Sequence, residues 1–422
     1  MLVVDTEPYA EVLGSASPEA AASLGISTSG LVRASVKRGG PLTATGGALA
    51  AVLRHRGANV MVLVKPAEVP NIHFDPVVHL AQTDTALSAT ATAGRRLVRA
   101  WSEQASHHTA ELYVPKPNRS DAESLRAGLL TLDTQLGQAL GVVARELCGL
   151  RIGLALGEGS AKGFAHLGVI RSLERAGLPC DRIAGTSIGA AVAALYAAGI
   201  PVDAAQAHLA RVGSATFRPV LPLSSLMSNA GVARIMRAVW GHTTRIEDLP
   251  TPLAIVAADM VTGSEVVLKR GLLWAAALAS ISIPGIYPPQ RMGERLLVDG
   301  GVVDPVPGGV VRSLGSDIVI AVRLSTRRRA ALEEVEATAP SGRVPSVVHT
   351  ILRSRDLMQG RYSASDREAS VVIEPEFPPS TGLGLRDFGR GNRFVEIGEA
   401  AAEASLPLIA ARVPWLAAAR TP

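Results

Sequence analysis

Short apolar runs separated by polar and glycine-rich turns run through the chain, and their texture changes near residue 150. Before that point, runs such as Leu2–Val4, Val60–Val64 and Leu112–Val114 alternate with alanine-rich stretches of helical character. That alternation predicts a smaller α/β N-terminal region over residues 1–118. The stretch from Val114 to Asp121 (VPKPNRSD) reads as a linker that ends at a helix start. Ser120 or Asp121 can cap that helix and Glu123 lies in its first turn. Leucine and valine then recur at helical spacing from Leu125 to Leu147, and Gly149 follows as a stop, so 119–150 is expected to be linker plus helix.

From residue 151 to about 415 the grammar is different. A wholly apolar run, Ile152–Leu156, predicts a buried strand, and Gly157–Gly163 (GEGSAKG) follows it as a loop. A helix is expected from Phe164, with Leu167, Ile170 and Leu173 on its apolar faces and Gly177 ending it. A short strand around Arg182–Ala184 leads into Gly185–Gly189 (GTSIG), and an alanine-rich helix runs on to Gly199-Ile200-Pro201. Further strands are expected at Leu253–Ala258, Val266–Leu268, Leu296–Val298 and Ile318–Val322, with a loose loop over 329–346. Strand, glycine loop, helix, strand, turn, helix predicts an α/β domain built on a mainly parallel sheet with right-handed crossovers. No internal repeat is visible.

Composition narrows the partners. The 422 residues are 47% hydrophobic and 19% charged, which is globular, and the length suits a large domain plus a smaller one. The net charge of +5 is a mild excess that favours anionic surfaces without marking one. Arg327-Arg328-Arg329 has no interleaved aromatics, so it reads as a solvated loop and no nucleic acid is expected. Cys148 and Cys180 have no metal-ligand spacing and read as small core residues in a reducing compartment. The opening MLVVDTEPYAEV shows no signal-peptide pattern, and no apolar run reaches the roughly 20 residues of a membrane span.

Three local signals carry chemistry. Ser187 sits at the centre of Gly185-Thr186-Ser187-Ile188-Gly189, between a strand and a helix. A serine presented on such a turn can reach a carbonyl if a base takes its proton, and the flanking glycines tolerate the tight backbone. The second signal, Gly157-Glu158-Gly159-Ser160-Ala161-Lys162-Gly163, lies between a strand and a helix, where successive amides form an anion site. Lys162 is followed by Gly163 and not by Ser or Thr, so the loop is not a Walker A motif. Its glycines match a dinucleotide fingerprint only loosely, and no acid closes the next strand. A plain packing turn stays open as an alternative. The third signal is Asp299-Gly300-Gly301 at the end of the strand Leu296–Val298, either an acid poised over a site or a turn-stabilising residue.

Taken together these blocks resemble the patatin-like phospholipase family. The run LALGEGSAKGFAHLGVIRSLERAGLPCDRIAGTSIGAAVAALYAAGI is similar to the opening of that domain. It resembles most the bacterial branch that includes neuropathy-target-esterase-type lysophospholipases. Ala279–Pro289 (ASISIPGIYPP) resembles the stretch before the family's aspartate, and Asp299-Gly300-Gly301 its D-G-G motif. The resemblance implies a three-layer α/β/α fold in which a Ser–Asp dyad hydrolyses acyl esters. By motif, Ser187 is the nucleophile and Asp299 the base, while amides around Gly159, Ser160 and Ala161 supply the oxyanion hole. No cofactor or metal is implied. The implied substrate is a (lyso)phospholipid or related acyl lipid, met at the surface of a membrane, with a cytoplasmic location at its inner face. The sequence says nothing of oligomeric state.

The loop departs from the family pattern. Glu158 and Ser160 stand where the first and third of three glycines are usual, and Lys162 fills the basic position. A glutamate aimed at an oxyanion would oppose catalysis, so the Glu158 side chain is expected to turn away, toward Lys162. Asp304 stands where the family often has asparagine. His166 matches a structural family histidine, and His349, the only histidine after Asp299, does not look placed for a Ser…Asp…His order. An alternative follows from the altered loop: a catalytically impaired lipid-binding or regulatory protein of the same fold. A nucleotide-dependent oxidoreductase is the third reading, and no NAD(P) binding is expected for it.

Overall fold

The computed structural model describes residues 150–215, 219–221, 225–324, 368–378 and 391–413, the positions 142, 145, 351 and 388, and the strands of the first 115 residues. The expected helix over 125–147, the 329–346 loop, Arg327–Arg329, Cys148 and His349 lie largely or wholly outside these residues. The chain falls into two compact units, Met1–Arg151 with Ala417–Pro422, and Ile152–Leu416.

The first unit carries six strands: β1 (Leu2–Val4), β2 (Val32–Val36), β3 (Val60–Met61), β4 (Val77–Ala81), β5 (Arg95–Trp101) and β6 (Ala110–Pro115). They form one sheet in the order β3-β1-β2-β4-β5-β6. β3, β1, β2 and β4 run parallel, and β5 and β6 add antiparallel edges. Pro115, expected in the linker, instead pairs with Arg95 as the last residue of β6. Proline at the last position of an edge strand needs no ladder donor, which is why the strand tolerates it.

The second unit is built on an eight-stranded sheet. Its parallel part is β7 (Ile152–Leu156), β8 (Arg182–Thr186), β9 (Leu253–Asp259), β13 (Ile318–Val322) and β14 (Val371–Ile373). β10 (Glu265–Leu268) and β12 (Arg295–Asp299) pair antiparallel with β9, and β11 (Gln290–Met292) pairs with β12. The mainly parallel sheet expected from the sequence is therefore present, with an antiparallel flank. β7, β9 and β13 are buried at every position, as strands covered on both faces must be.

Helices cover the sheet: α1 (Phe164–Arg175), α2 (Ile188–Ala197), α3 (Val202–Ala215), α4 (Ala230–Trp240), α5 (Leu273–Ser280), α6 (Gly308–Ser313) and α7 (Gly391–Ala410). α1 ends as the sequence predicts, with Gly177 at φ 71° just beyond it. α1 and α7 pack closely because each offers a glycine to the other. A Cβ on Gly168 would stand 1.9 Å from the Val395 carbonyl oxygen, and one on Gly398 would stand 2.0 Å from that of Ala165. No described helix is long and apolar enough to cross a membrane.

Candidate active site

The site forms where β7 and β8 end side by side. β7 delivers the glycine loop, whose last part, Ser160–Gly163, is a 3₁₀ turn leading into α1. β8 delivers Ser187, the N-cap of α2. Its backbone is at φ 56°, ψ −124°, in a region a serine rarely adopts and one that costs of order 1–3 kcal/mol. The surrounding packing holds that conformation. A Cβ on Gly185 would stand 2.3 Å from the Gly189 carbonyl oxygen, and one on Gly189 would stand 2.2 Å from that of Leu156. Only glycines at both ends of the motif let α2 fold back onto β8 and the end of β7. The Ser187 amide donates to Ser280 Oγ at 2.9 Å, and Ser280 Oγ donates in turn to the Val256 carbonyl at 2.6 Å. Sequence reasoning misses Ser280 as a site residue, because its contact is tertiary and leaves no spacing to read.

Asp299 arrives from the antiparallel flank. Thr186 pairs with Val256 and Asp299 with Ala257, consecutive positions of β9. That register brings Ser187 Oγ to 2.6 Å from Asp299 Oδ2, with the hydroxyl donating. The other oxygen, Oδ1, accepts from the Gly301 amide at 2.8 Å, and the Asp299 amide donates to the Ser282 carbonyl at 2.9 Å. One oxygen of this aspartate thus stabilises the turn and the other meets the serine. Asp299 is fully buried and Ser187 nearly so. Gly300 lies against β9, where a Cβ would stand 2.3 Å from the Val256 carbonyl oxygen.

The glycine loop sorts its amides into two sets. Those of Gly157 and Glu158 donate to the carbonyls of Val322 and Pro305 at 3.0 and 2.9 Å, tying the loop to β13 and to the segment after Asp299. The amides of Gly159, Ser160 and Ala161 stand at the start of the 3₁₀ turn, whose first internal bond is Lys162 N–H to Gly159 O at 3.1 Å. Amides at that position have no acceptor within the turn. Gly163 packs on the residue after the serine, with its missing Cβ 2.2 Å from Ile188 Cγ1.

Ser160, at the third glycine position, keeps a glycine-like φ of 52°, and its hydroxyl is buried with no hydrogen-bond partner. Glu158 is buried, and the Lys162 ammonium lies 5.0 Å from the centre of the Phe377 ring. Asp304 is buried; its carbonyl accepts from Thr186 Oγ1 at 2.8 Å and its amide donates to Gly300 O at 2.9 Å. His166 is fully buried in the first turn of α1, and its Nε2 donates to the Gly157 carbonyl at 2.7 Å. Burial lowers its pKa from 6.5 to about 4. The histidine thus stays neutral and braces the loop, in keeping with the structural role expected of it. Among the described residues no group of acidic, histidine or cysteine side chains is arranged to hold a metal ion.

The chain is similar to known proteins. Residues 154–310 match the sequence model of the patatin-like phospholipase family, so the chain carries a domain of that family. Its relatives include an uncharacterized NTE family protein of Mycobacterium tuberculosis, 34% identical over 287 residues, covering 63% of this chain and 48% of the relative. A second uncharacterized NTE family protein of M. tuberculosis is 41% identical over 182 residues, 42% of this chain and 49% of the relative. Human patatin-like phospholipase domain-containing protein 6 is 34% identical over 284 residues, 61% of this chain and 20% of that protein. The chain thus spans about half the length, or less, of the curated relatives it matches.

Proposed function

We propose that this chain is a serine esterase that hydrolyses carboxylic esters of (lyso)phospholipids or related acyl lipids. Ser187 Oγ attacks the ester carbonyl carbon while its proton passes to Asp299 Oδ2. The carbonyl oxygen gains charge and is met by the amides of Gly159, Ser160 and Ala161. Collapse breaks the C–O bond to the alcohol, which leaves with the proton returned from Asp299. Water then gives up a proton to the same carboxylate and attacks the acyl-enzyme, and the fatty acid and free serine result. A carboxylate alone suits ester substrates, because an alcohol leaves more readily than an amine.

The observation that carries this reading is the 2.6 Å bond between Ser187 Oγ and a fully buried Asp299, on a serine held at φ 56°. Strain of this kind on a serine at a strand-to-helix turn supports its presentation as a nucleophile. The lipid substrate follows from the family, and cytoplasmic action at the inner membrane face is the corresponding expectation.

A second reading, a lipid-binding protein with impaired catalysis, is favoured by one feature, the Glu158 and Ser160 replacements in the amide loop. Fluorophosphonate labelling separates the two. Under the esterase reading the wild type is labelled, Ser187→Ala is not, and Asp299→Asn loses about 10³-fold or more in labelling rate and lysophospholipid turnover. A wild type that resists the probe would leave only the second reading.

A further inference from the structure

Few large apolar side chains are exposed in the described part of the second unit. Val220, Leu221, Met260, Val261, Val302 and Leu408 are the ones that stand out into solvent. Met260 and Val261 are 59% and 76% exposed at the tip of the β9–β10 hairpin. β9 is parallel to β7 and β8, so its C-terminal tip lies on the same sheet edge as the glycine loop and Ser187. Leu221 is 82% exposed on a segment that rides on the site's own frame. Leu226 and Met227 donate to the carbonyls of Gly285 and Ile286, a few residues from the Ser282 carbonyl that holds Asp299.

The hairpin tip is a built display. Asp259 Oδ1 accepts from the Val261 amide at 3.0 Å, the Asp259 carbonyl accepts from Gly263 at 2.8 Å, and its amide donates to Ser264 at 2.9 Å. Gly263, at φ 70°, closes the turn, and the Met260 amide donates to the Leu296 carbonyl at 2.8 Å. These bonds fix the backbone so that two apolar side chains face water, an arrangement folding alone disfavours. Exposed charges beside the tip are of both signs, Arg291 and Arg295 with Glu294 and Glu265.

We propose that this edge docks on the acyl region of a phospholipid–water interface, with Met260 and Val261 as the leading anchor. It rests on the esterase reading for its purpose, since a water-insoluble ester must reach Ser187 from a lipid surface. Near-balanced local charge makes the contact apolar in character, so it tolerates salt and needs no anionic lipid.

The test is sedimentation of the full chain with phosphatidylcholine vesicles, using catalytically silent Ser187→Ala so that binding is read without turnover. The expected result is binding that persists at high salt and falls about tenfold or more in Met260→Ser/Val261→Ser. Leu408→Ser is the control. Leu408 lies on α7, which follows α1 away from the glycine loop, with Gly391 against Phe164 and Glu399 bonded to Arg171, and its loss leaves binding unchanged. In the wild-type background, Met260→Ser/Val261→Ser keeps hydrolysis of a soluble short-chain ester and loses turnover of vesicle substrate. Vesicle binding that ignores the double substitution, or a dimer in light scattering that the double substitution dissociates, overturns the proposal. An inactive protein that still binds through Met260 and Val261 would instead count against the esterase reading alone.

Discussion

His166 donates through Nε2 to the carbonyl of Gly157 at 2.7 Å, from a position fully shielded from water. A carbonyl only accepts, so the ring holds its proton on Nε2, and Nδ1 is buried without a partner. Protonating Nδ1 would place a charge where nothing answers it, which is why the folded pKa falls to about 4.

A pH dependence follows. The unfolded histidine titrates near 6.5 and the folded one near 4, so below pH 6.5 the unfolded chain takes up a proton that the folded chain refuses. Stability contributed by the neutral ring is complete above pH 6.5 and is lost as pH falls toward 4, by about 3 kcal/mol in all. Denaturant melts at pH 7, 5.5 and 4.5 should show this decline in the wild type and a shallower one in His166→Gln. Equal slopes in the two proteins would remove His166 from the account.

Gly189→Ala should be damaging well beyond its one methyl group. The new Cβ would stand 2.2 Å from the Leu156 carbonyl oxygen and 2.6 Å from that of Gly157, both backbone atoms. α2 would have to move away from β7 and carry Ser187 with it, at a cost of about 1–3 kcal/mol or more. Thermal melting and probe labelling should both fall. A variant that melts as the wild type does but labels poorly would show that the helix shifts without weakening the fold.

Ser160→Gly runs in the opposite direction. It relieves a left-handed backbone at φ 52° and removes a buried hydroxyl that has no partner. Glycine's greater freedom in the unfolded chain offsets part of this, leaving a gain of about 1 kcal/mol. A calorimetric melting temperature a few degrees above wild type, with turnover not reduced, is the expected result. A lower melting temperature would mean that the hydroxyl is satisfied in solution.

Much of the second unit is legible in the sequence because its central strands are apolar on both faces and bounded by glycine. Ile152–Leu156 and Ile318–Val322 have the boundaries their apolar runs predict, and β8, β9, β10 and β12 extend their expected runs by one or two residues. β11 and β14 are not foreshadowed. Gln290-Arg291-Met292 has no strand signature of its own and is a strand because β12 pairs with it; Val371–Ile373 is a three-residue edge held by β13. In the site, the order of the motifs is legible, but the meeting of Ser187 and Asp299 depends on the register of β8 and β12 on β9, which no local pattern encodes. The division of the loop amides likewise rests on carbonyls of Val322 and Pro305, which lie far along the chain from the loop.

That register makes the serine a gauge of assembly. Thr186, which precedes Ser187, and Asp299 end strands of opposite direction and pair with positions one apart on β9. Slipping β12 by a single residue would turn the carboxylate to the other face of the sheet and leave the hydroxyl without its acceptor. Under the proposed esterase reading, reactivity at Ser187 therefore counts only those molecules in which the parallel and antiparallel parts of the sheet have joined in phase. During refolding, helical signal can return with α1 and α2 while the serine is still inert, and the lag between the two measures how long the chain takes to set β12 in place.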